Sequence, residues 1–275
     1  MSVVLLGLLA ALSWGTGDFG GGIAARRGPL FGIVIVTQFV GAGLTLVLAV
    51  VRAEAVPPAW EIGWALIAGL FGGVGIMALY RGLSTGRMGV VAPISGVLAA
   101  AIPVALGIVL QGLPGPARFI GMACALAAVV LVSRADGGGT RRDVGLGLLA
   151  GFGIGVFNVA VSRFSPGQVF APLTIVRASE GLLVLAAVLV SRRSWRLARP
   201  QLPLVVTVGA LDMGGNAFYI LATQAGRLDV ATILSSLYPV TTVILATAFL
   251  RERIAGSHLV GVLLAIVAIV LIGAG

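Results

Sequence analysis

The chain has 275 residues, 59% of them apolar and only 10% charged, with a formal net charge of +9 and a mean hydropathy of +1.13. So little charge cannot cover the surface of a soluble domain, and one cysteine, Cys124, and one histidine, His258, supply neither a disulfide framework nor a Cys-based metal site. Every basic residue is arginine and these sit scattered at the ends of apolar stretches, which points to the positive-inside bias of a membrane protein and away from a nucleic-acid partner.

Taken in chain order, apolar stretches predict ten helical spans over residues 3–25, 29–51, 60–80, 88–110, 116–133, 144–164, 169–190, 202–224, 228–250 and 255–274. Each is near the length of about 20 residues that carries a helix across a hydrocarbon core. The first stretch has no basic residue before it and its apolar run continues past Trp14, so it reads as a membrane helix rather than a cleaved signal peptide. Pro29, Pro116 and Pro172 fall near helix starts, where a missing N–H does little harm. Pro93, Pro103 and Pro239 fall inside spans and predict kinks. His258 reads as a loop residue at the interface.

The longest polar loop, Arg134–Asp143, divides the chain almost in half. A constant shift of 140 residues aligns the halves: Gly7-Leu8-Leu9-Ala10 with Gly147-Leu148-Leu149-Ala150, Gly15 with Gly155, Gly41 with Gly181, Gly86-Arg87 with Gly226-Arg227, Ser95 with Ser235 and Gly121 with Gly261. The expected fold is therefore an all-α membrane protein of ten transmembrane helices, in two five-helix repeats over residues 1–135 and 144–275. An odd number of spans per repeat inverts the second relative to the first and places a site at their interface. Thirteen arginines follow odd-numbered spans and four follow even-numbered ones. This favours odd loops in the cytoplasm and residue 275 outside it.

Gly7, Ala11 and Gly15, and again Gly147, Gly151 and Gly155, form small-residue faces suited to close helix packing. Charges inside a span are costly and by default mark function; four qualify, Asp18, Arg177, Glu180 and Asp212. Arg177 and Glu180 are three apart on one helix face and can pair. Asp212, Asn216, Tyr219 and Thr223 make a polar stripe on one face of the eighth span. Asp18, one turn after Trp14, matches Asn158 under the shift. Thr232, Ser235, Ser236, Pro239 and Thr242 line a face of the ninth span beside Tyr238. The candidate substrate or coupling residues are thus Asp212, Asn216, Tyr219, Trp14, Asp18, Asn158, Ser95, Ser235 and Tyr238. Arg177–Glu180 is a separate intramembrane pair, and Asp212 has no cation on its own helix. The bland alternatives are a purely structural Arg177–Glu180 pair, an Asp18–Asn158 clasp between helices, and Ser/Thr side chains bonded to their own backbone. No nucleotide-binding, zinc-protease or nucleophile motif appears, so neither an enzyme nor a cofactor or metal site is expected.

Ser13-Trp14-Gly15, Pro172 with Arg177, the run Ser235-Ser236-Leu237-Tyr238-Pro239-Val240, Glu252 and Gly261 together resemble the EamA-type members of the drug/metabolite transporter superfamily. The resemblance covers essentially the whole chain. It departs in the first half, where Gly112 stands opposite Glu252 and Ala99 opposite Pro239, and Asp18 lies about a turn later than the span-1 glutamate of the small four-helix relatives. The resemblance implies transport by alternating access, efflux among the open directions, of a small polar or amphipathic metabolite across the inner or plasma membrane. Spans 1, 3, 4, 6, 8 and 9 would line the path, and the chain would act as a monomer in the lipid bilayer. A non-transporting membrane scaffold and a lipid-handling membrane enzyme are the alternatives.

Overall fold

The computed structural model describes residues 2–25, 27–84, 88–132, 140–192, 194–250 and 256–274, without the side chains at 80, 82–84, 88–90, 92, 93, 132, 239, 243, 246, 247, 250, 258, 273 and 274. Arg26, Gly86, Arg87, most of the 134–143 loop, Arg193, Arg251, Glu252, Arg253 and Gly275 lie outside the described residues. The described residues form α1 (Val3–Ala25), α2 (Leu30–Val51), α3 (Ala59–Ser84), α4 (Met88–Gln111), α5 (Pro116–Val132), α6 (Arg141–Val161), α7 (Phe170–Ser191), α8 (Leu202–Ala225), α9 (Leu228–Ser235), α10 (Tyr238–Leu250) and α11 (Gly256–Ala274), with a short 3-10 turn before α8 and no strand. Seven of these helices, α1 to α4 and α6 to α8, are long and apolar enough to cross a membrane. Leu46, Val50, Leu66, Leu70, Phe119, Leu182, Val190 and Leu263 are exposed on the outside of the bundle, a surface that suits lipid rather than water. The chain is a multi-pass helical membrane protein.

Three elements differ from the sequence reading. The stretch read as one ninth span is two helices, α9 and α10, separated at Ser236-Leu237. Pro239 has no N–H to give to the carbonyl four residues back and its ring clashes there, so the helix restarts just before it. The break is held by Ser236 N–H on the Thr232 carbonyl at 2.9 Å and Val240 N–H on the Leu237 carbonyl at 2.9 Å. Helix α6 begins at Arg141 rather than three residues later, because Thr140 and Asp143 form a reciprocal capping box, which satisfies two otherwise orphaned donors. His258 falls within α11 rather than in a loop.

Close approaches set the packing. Gly7 of α1 faces Ala231 and Leu234 of α9, and Gly147 of α6 faces Val91 and Ile94 of α4. Gly215 of α8 lies against Trp14 of α1, and Gly75 of α3 against Ile154 of α6. Gly15 meets the Tyr238 carbonyl and Thr241, and Thr242 Oγ1 donates to the Gly15 carbonyl at 3.0 Å. A valine at Gly15 would collide with backbone. Gly15→Val is therefore expected to lower membrane abundance and to destabilise the protein by about 1–3 kcal/mol, whereas Gly22→Ala, with open space around it, is tolerated. Thermal unfolding of the two purified variants checks this; equal melting would dismiss the close approach.

The end of the bundle formed by loops 52–58, 112–115, 162–169 and 226–227 is tied shut by side chains. Glu54 Oε2 accepts from the backbone N–H groups of Val169 at 3.2 Å, Phe170 at 2.8 Å and Ala171 at 2.8 Å. This places a carboxylate on the N-terminus of α7, which has no side-chain cap of its own, where the helix dipole favours it. The buried Glu61 accepts from Ser165 N–H. Arg227 forks onto the fully buried Asp229 and donates to the carbonyls of Gln111 at 3.0 Å and Gly112 at 2.6 Å. The bond to Asp229 raises the Arg227 guanidinium above its ordinary value, so it keeps its charge. Gln224 donates to the carbonyls of Ser165 and Gln168 at 3.0 Å each. At the opposite end Gln201 donates to the Arg27 carbonyl, and Gly32 abuts the Trp195 carbonyl.

Candidate functional site

A cavity of about 110 Å³ lies between the helices near mid-span. Its polar lining is Asp18 with Trp14 from α1, Gln38 from α2, Asn158 from α6, Arg177 and Glu180 from α7, Asp212 and Asn216 from α8, and Thr232, Ser235, Ser236 and Tyr238 from the broken α9–α10 pair. Gly72, Ile76 and Leu79 of α3, Gly96, Ala99 and Ala100 of α4, and Ile154 and Phe157 of α6 complete the wall. A smaller neighbouring cavity between α1, α2 and α8 shares Trp14, Asp18, Gln38, Ile76 and Asp212. Helices α2 and α7 therefore contribute in addition to the spans expected to line the path.

The centre of the site is one guanidinium. Arg177 is buried, and its Nη1 donates to Glu180 Oε2 at 3.0 Å and to Gln38 Oε1 at 2.7 Å. Its Nη2 stands 2.8 Å from Asp212 Oδ2. Arg177 and Glu180 come together because they are three apart on α7; Asp212 arrives from α8 across the bundle. This corrects the expectation that Asp212 forms a group apart from Arg177–Glu180. Its partner lies on another helix, where spacing within α8 cannot reveal it. Asn216 Nδ2 donates back to the Asp212 carbonyl at 2.6 Å.

The other named residues divide. Trp14, Asp18, Asn158, Ser235 and Tyr238 all reach the cavity. Asp18 is exposed into it and makes no hydrogen bond or ion pair among the described residues. Trp14 stacks tilted on Tyr219 at 5.7 Å and edge-on to Tyr238 at 6.3 Å. Tyr219 is fully buried and does not line the cavity; its hydroxyl shares a 2.9 Å hydrogen bond with Thr232 Oγ1 and supports the cavity from beneath. Ser95 is also buried outside the lining, against Gly151 of α6. Ser235 bonds the Thr232 carbonyl of its own helix at 2.9 Å. Glu252 and the side chain of Pro239 lie outside the described residues. Gln38 was missed, although a glutamine in mid-span carries the same signal as the charged residues.

A polar, charged cavity at mid-depth in a helical bundle is the arrangement of a solute-handling membrane protein. The model of the EamA-like transporter family matches residues 1–134 and again residues 143–274, and the chain belongs to that family, a group of membrane transporters within the drug/metabolite transporter superfamily. An uncharacterized protein of Methanocaldococcus jannaschii is 30% identical over 135 residues, which is 48% of this chain and 96% of that protein. A protein of known crystal structure shares the fold, with a TM-score of 0.77 at 20% identity, covering 98% of this chain and 95% of the other.

Proposed function

We propose that the chain is an alternating-access transporter of ten transmembrane spans, built as two inverted five-helix repeats over residues 1–135 and 144–275, that moves a small polar or amphipathic metabolite across the inner or plasma membrane. The observation that carries this is the cavity, because three carboxylates and a guanidinium at mid-span have no place in a scaffold that only packs against lipid. Several contacts support the repeats. Under the 140-residue shift, Gly7 on Ala231 and Leu234 becomes Gly147 on Val91 and Ile94, and Gly215 on Trp14 becomes Gly75 on Ile154. The packing pairs exchange likewise: α1 with α8 becomes α6 with α3, and α2 with α8 becomes α7 with α3. The family model matching once per half and a relative of half the length fit a five-helix unit. The arginine bias favours the 192–201 loop in the cytoplasm.

Asp212 is the test residue. Asp212→Asn leaves Arg177 its Glu180 partner, so the fold survives while the cavity loses one charge. Solute flux in proteoliposomes is expected to fall to background in this variant, with membrane abundance near that of the parent. Wild-type flux in Asp212→Asn would remove the residue from the mechanism, and absence of flux of any solute by the parent protein would end the transport reading.

A further inference from the structure

The charges in the cavity do not balance, and the imbalance says what the cavity can hold. Among the described residues lining it, Asp18, Glu180 and Asp212 face a single cation, Arg177. That cation is already used: Glu180 and Gln38 hold one end of its guanidinium and Asp212 the other, and the side chain is only 4% exposed. Its Nε and Nη2 make no hydrogen bond, but both atoms are buried away from the cavity, so the guanidinium offers no exposed edge to a carboxylate or phosphate.

Asp18 is the reverse case. It is exposed into the main cavity and shared by the smaller one, with no hydrogen bond or ion pair among the described residues. Trp14 sits one turn before it on α1, and Tyr238 sets its ring edge-on to Trp14 at 6.3 Å. Asn158 and Asn216 reach the same space with 8% and 2% exposure. The Asn158 amide makes only a 3.5 Å contact with the Ala99 carbonyl, and neither carboxamide oxygen receives a donor among the described residues. An unpaired carboxylate, aromatic faces and free carbonyl-type oxygens are the surroundings an ammonium group needs.

We infer that the central cavity is a binding site for a small organic cation, an amine or methylated ammonium, held by the Asp18 carboxylate beside the rings of Trp14 and Tyr238. The space of about 110 Å³ suits a small cation. The inference deepens the transport reading and rests on it for every step after binding; occupancy of the site can be measured separately.

The test is equilibrium dialysis of radiolabelled tetramethylammonium against the purified full-length protein in detergent, at fixed ionic strength, with methylammonium, glycine and acetate as competitors. Saturable binding is expected, displaced by methylammonium and not by glycine or acetate. Asp18→Asn should weaken binding at least about tenfold, equivalent to about 1.4 kcal/mol, while Asp18→Glu, which keeps the charge, and Trp14→Phe, which keeps a ring, retain most of it. Thermal unfolding of each variant shows that the protein is folded. No saturable cation binding, equal displacement by acetate or glycine, or unchanged affinity in a folded Asp18→Asn would overturn the proposal. Cation binding without flux in proteoliposomes would sink the transport reading and leave the site standing; flux of a solute without cation binding would do the opposite.

Discussion

Arg177→Met is expected to destabilise the protein by about 3–5 kcal/mol, the usual cost of leaving a buried charge without its partner. The arginine closes three contacts at once, to Glu180, Gln38 and Asp212. Glu180 is 4% exposed and Asp212 35% exposed, so the loss falls mainly on Glu180, which has no water to turn to. Methionine fills much of the volume, which separates the electrostatic loss from a cavity. The double variant Arg177→Met/Glu180→Gln should regain a large part of the stability, because an uncharged amide tolerates the same surroundings far better. Thermal unfolding in detergent, together with membrane abundance, reads both steps. Equal stability of Arg177→Met and the parent would show that the acids do not depend on the guanidinium. A double variant as poor as the single one would show that Arg177 acts through packing instead.

That cluster also marks where sequence reading stops. Most of the helices and their boundaries are legible because lipid imposes length and apolarity on each helix separately, and the matched glycines at 7 and 147 are legible because they recur at a constant shift. The intramembrane charges stand out for the same reason, being rare where burial is expensive. What connects them is not legible. Spacing pairs Arg177 with Glu180 on α7, but Asp212 reaches the same guanidinium from α8, and only the packing of α7 and α8 around α2 brings the two together. Tyr219 shows the converse. It shares a helix stripe with Asp212 and Asn216, yet it turns beneath the cavity to Thr232, since a stripe defines a face and not a depth or a neighbour. The break at Ser236-Leu237 falls between these cases: Pro239 signals a disturbance, and the geometry decides that it is a break rather than a kink.

Breaking the polar belt at the 52–58, 112–115, 162–169 and 226–227 end is expected to expose the cavity from that side. Glu54 caps α7 through three backbone N–H groups, and Arg227 joins Asp229 to the end of α4. Under the 140-residue shift Glu54 falls opposite Ser194, Glu61 opposite Gln201 and Asp229 opposite Gly89, so the shift sets no acid opposite any of these three. Hydrogen bonds to charged groups contribute about 1.5–3 kcal/mol each. Losing even about 1.4 kcal/mol of closure raises the population open on this side about tenfold. The chain has one native cysteine, Cys124, so a Cys124→Ser background carrying Thr232→Cys, a residue just beneath the belt, reports access cleanly. Adding Glu54→Ala and Arg227→Ala should speed its modification by a membrane-impermeant thiol reagent at least about tenfold when the reagent is applied from the belt side. On the proposed alternating-access reading, access from the other side should fall or stay the same. Modification as slow as in the background, in protein that still folds, would show that the belt does not keep this end closed.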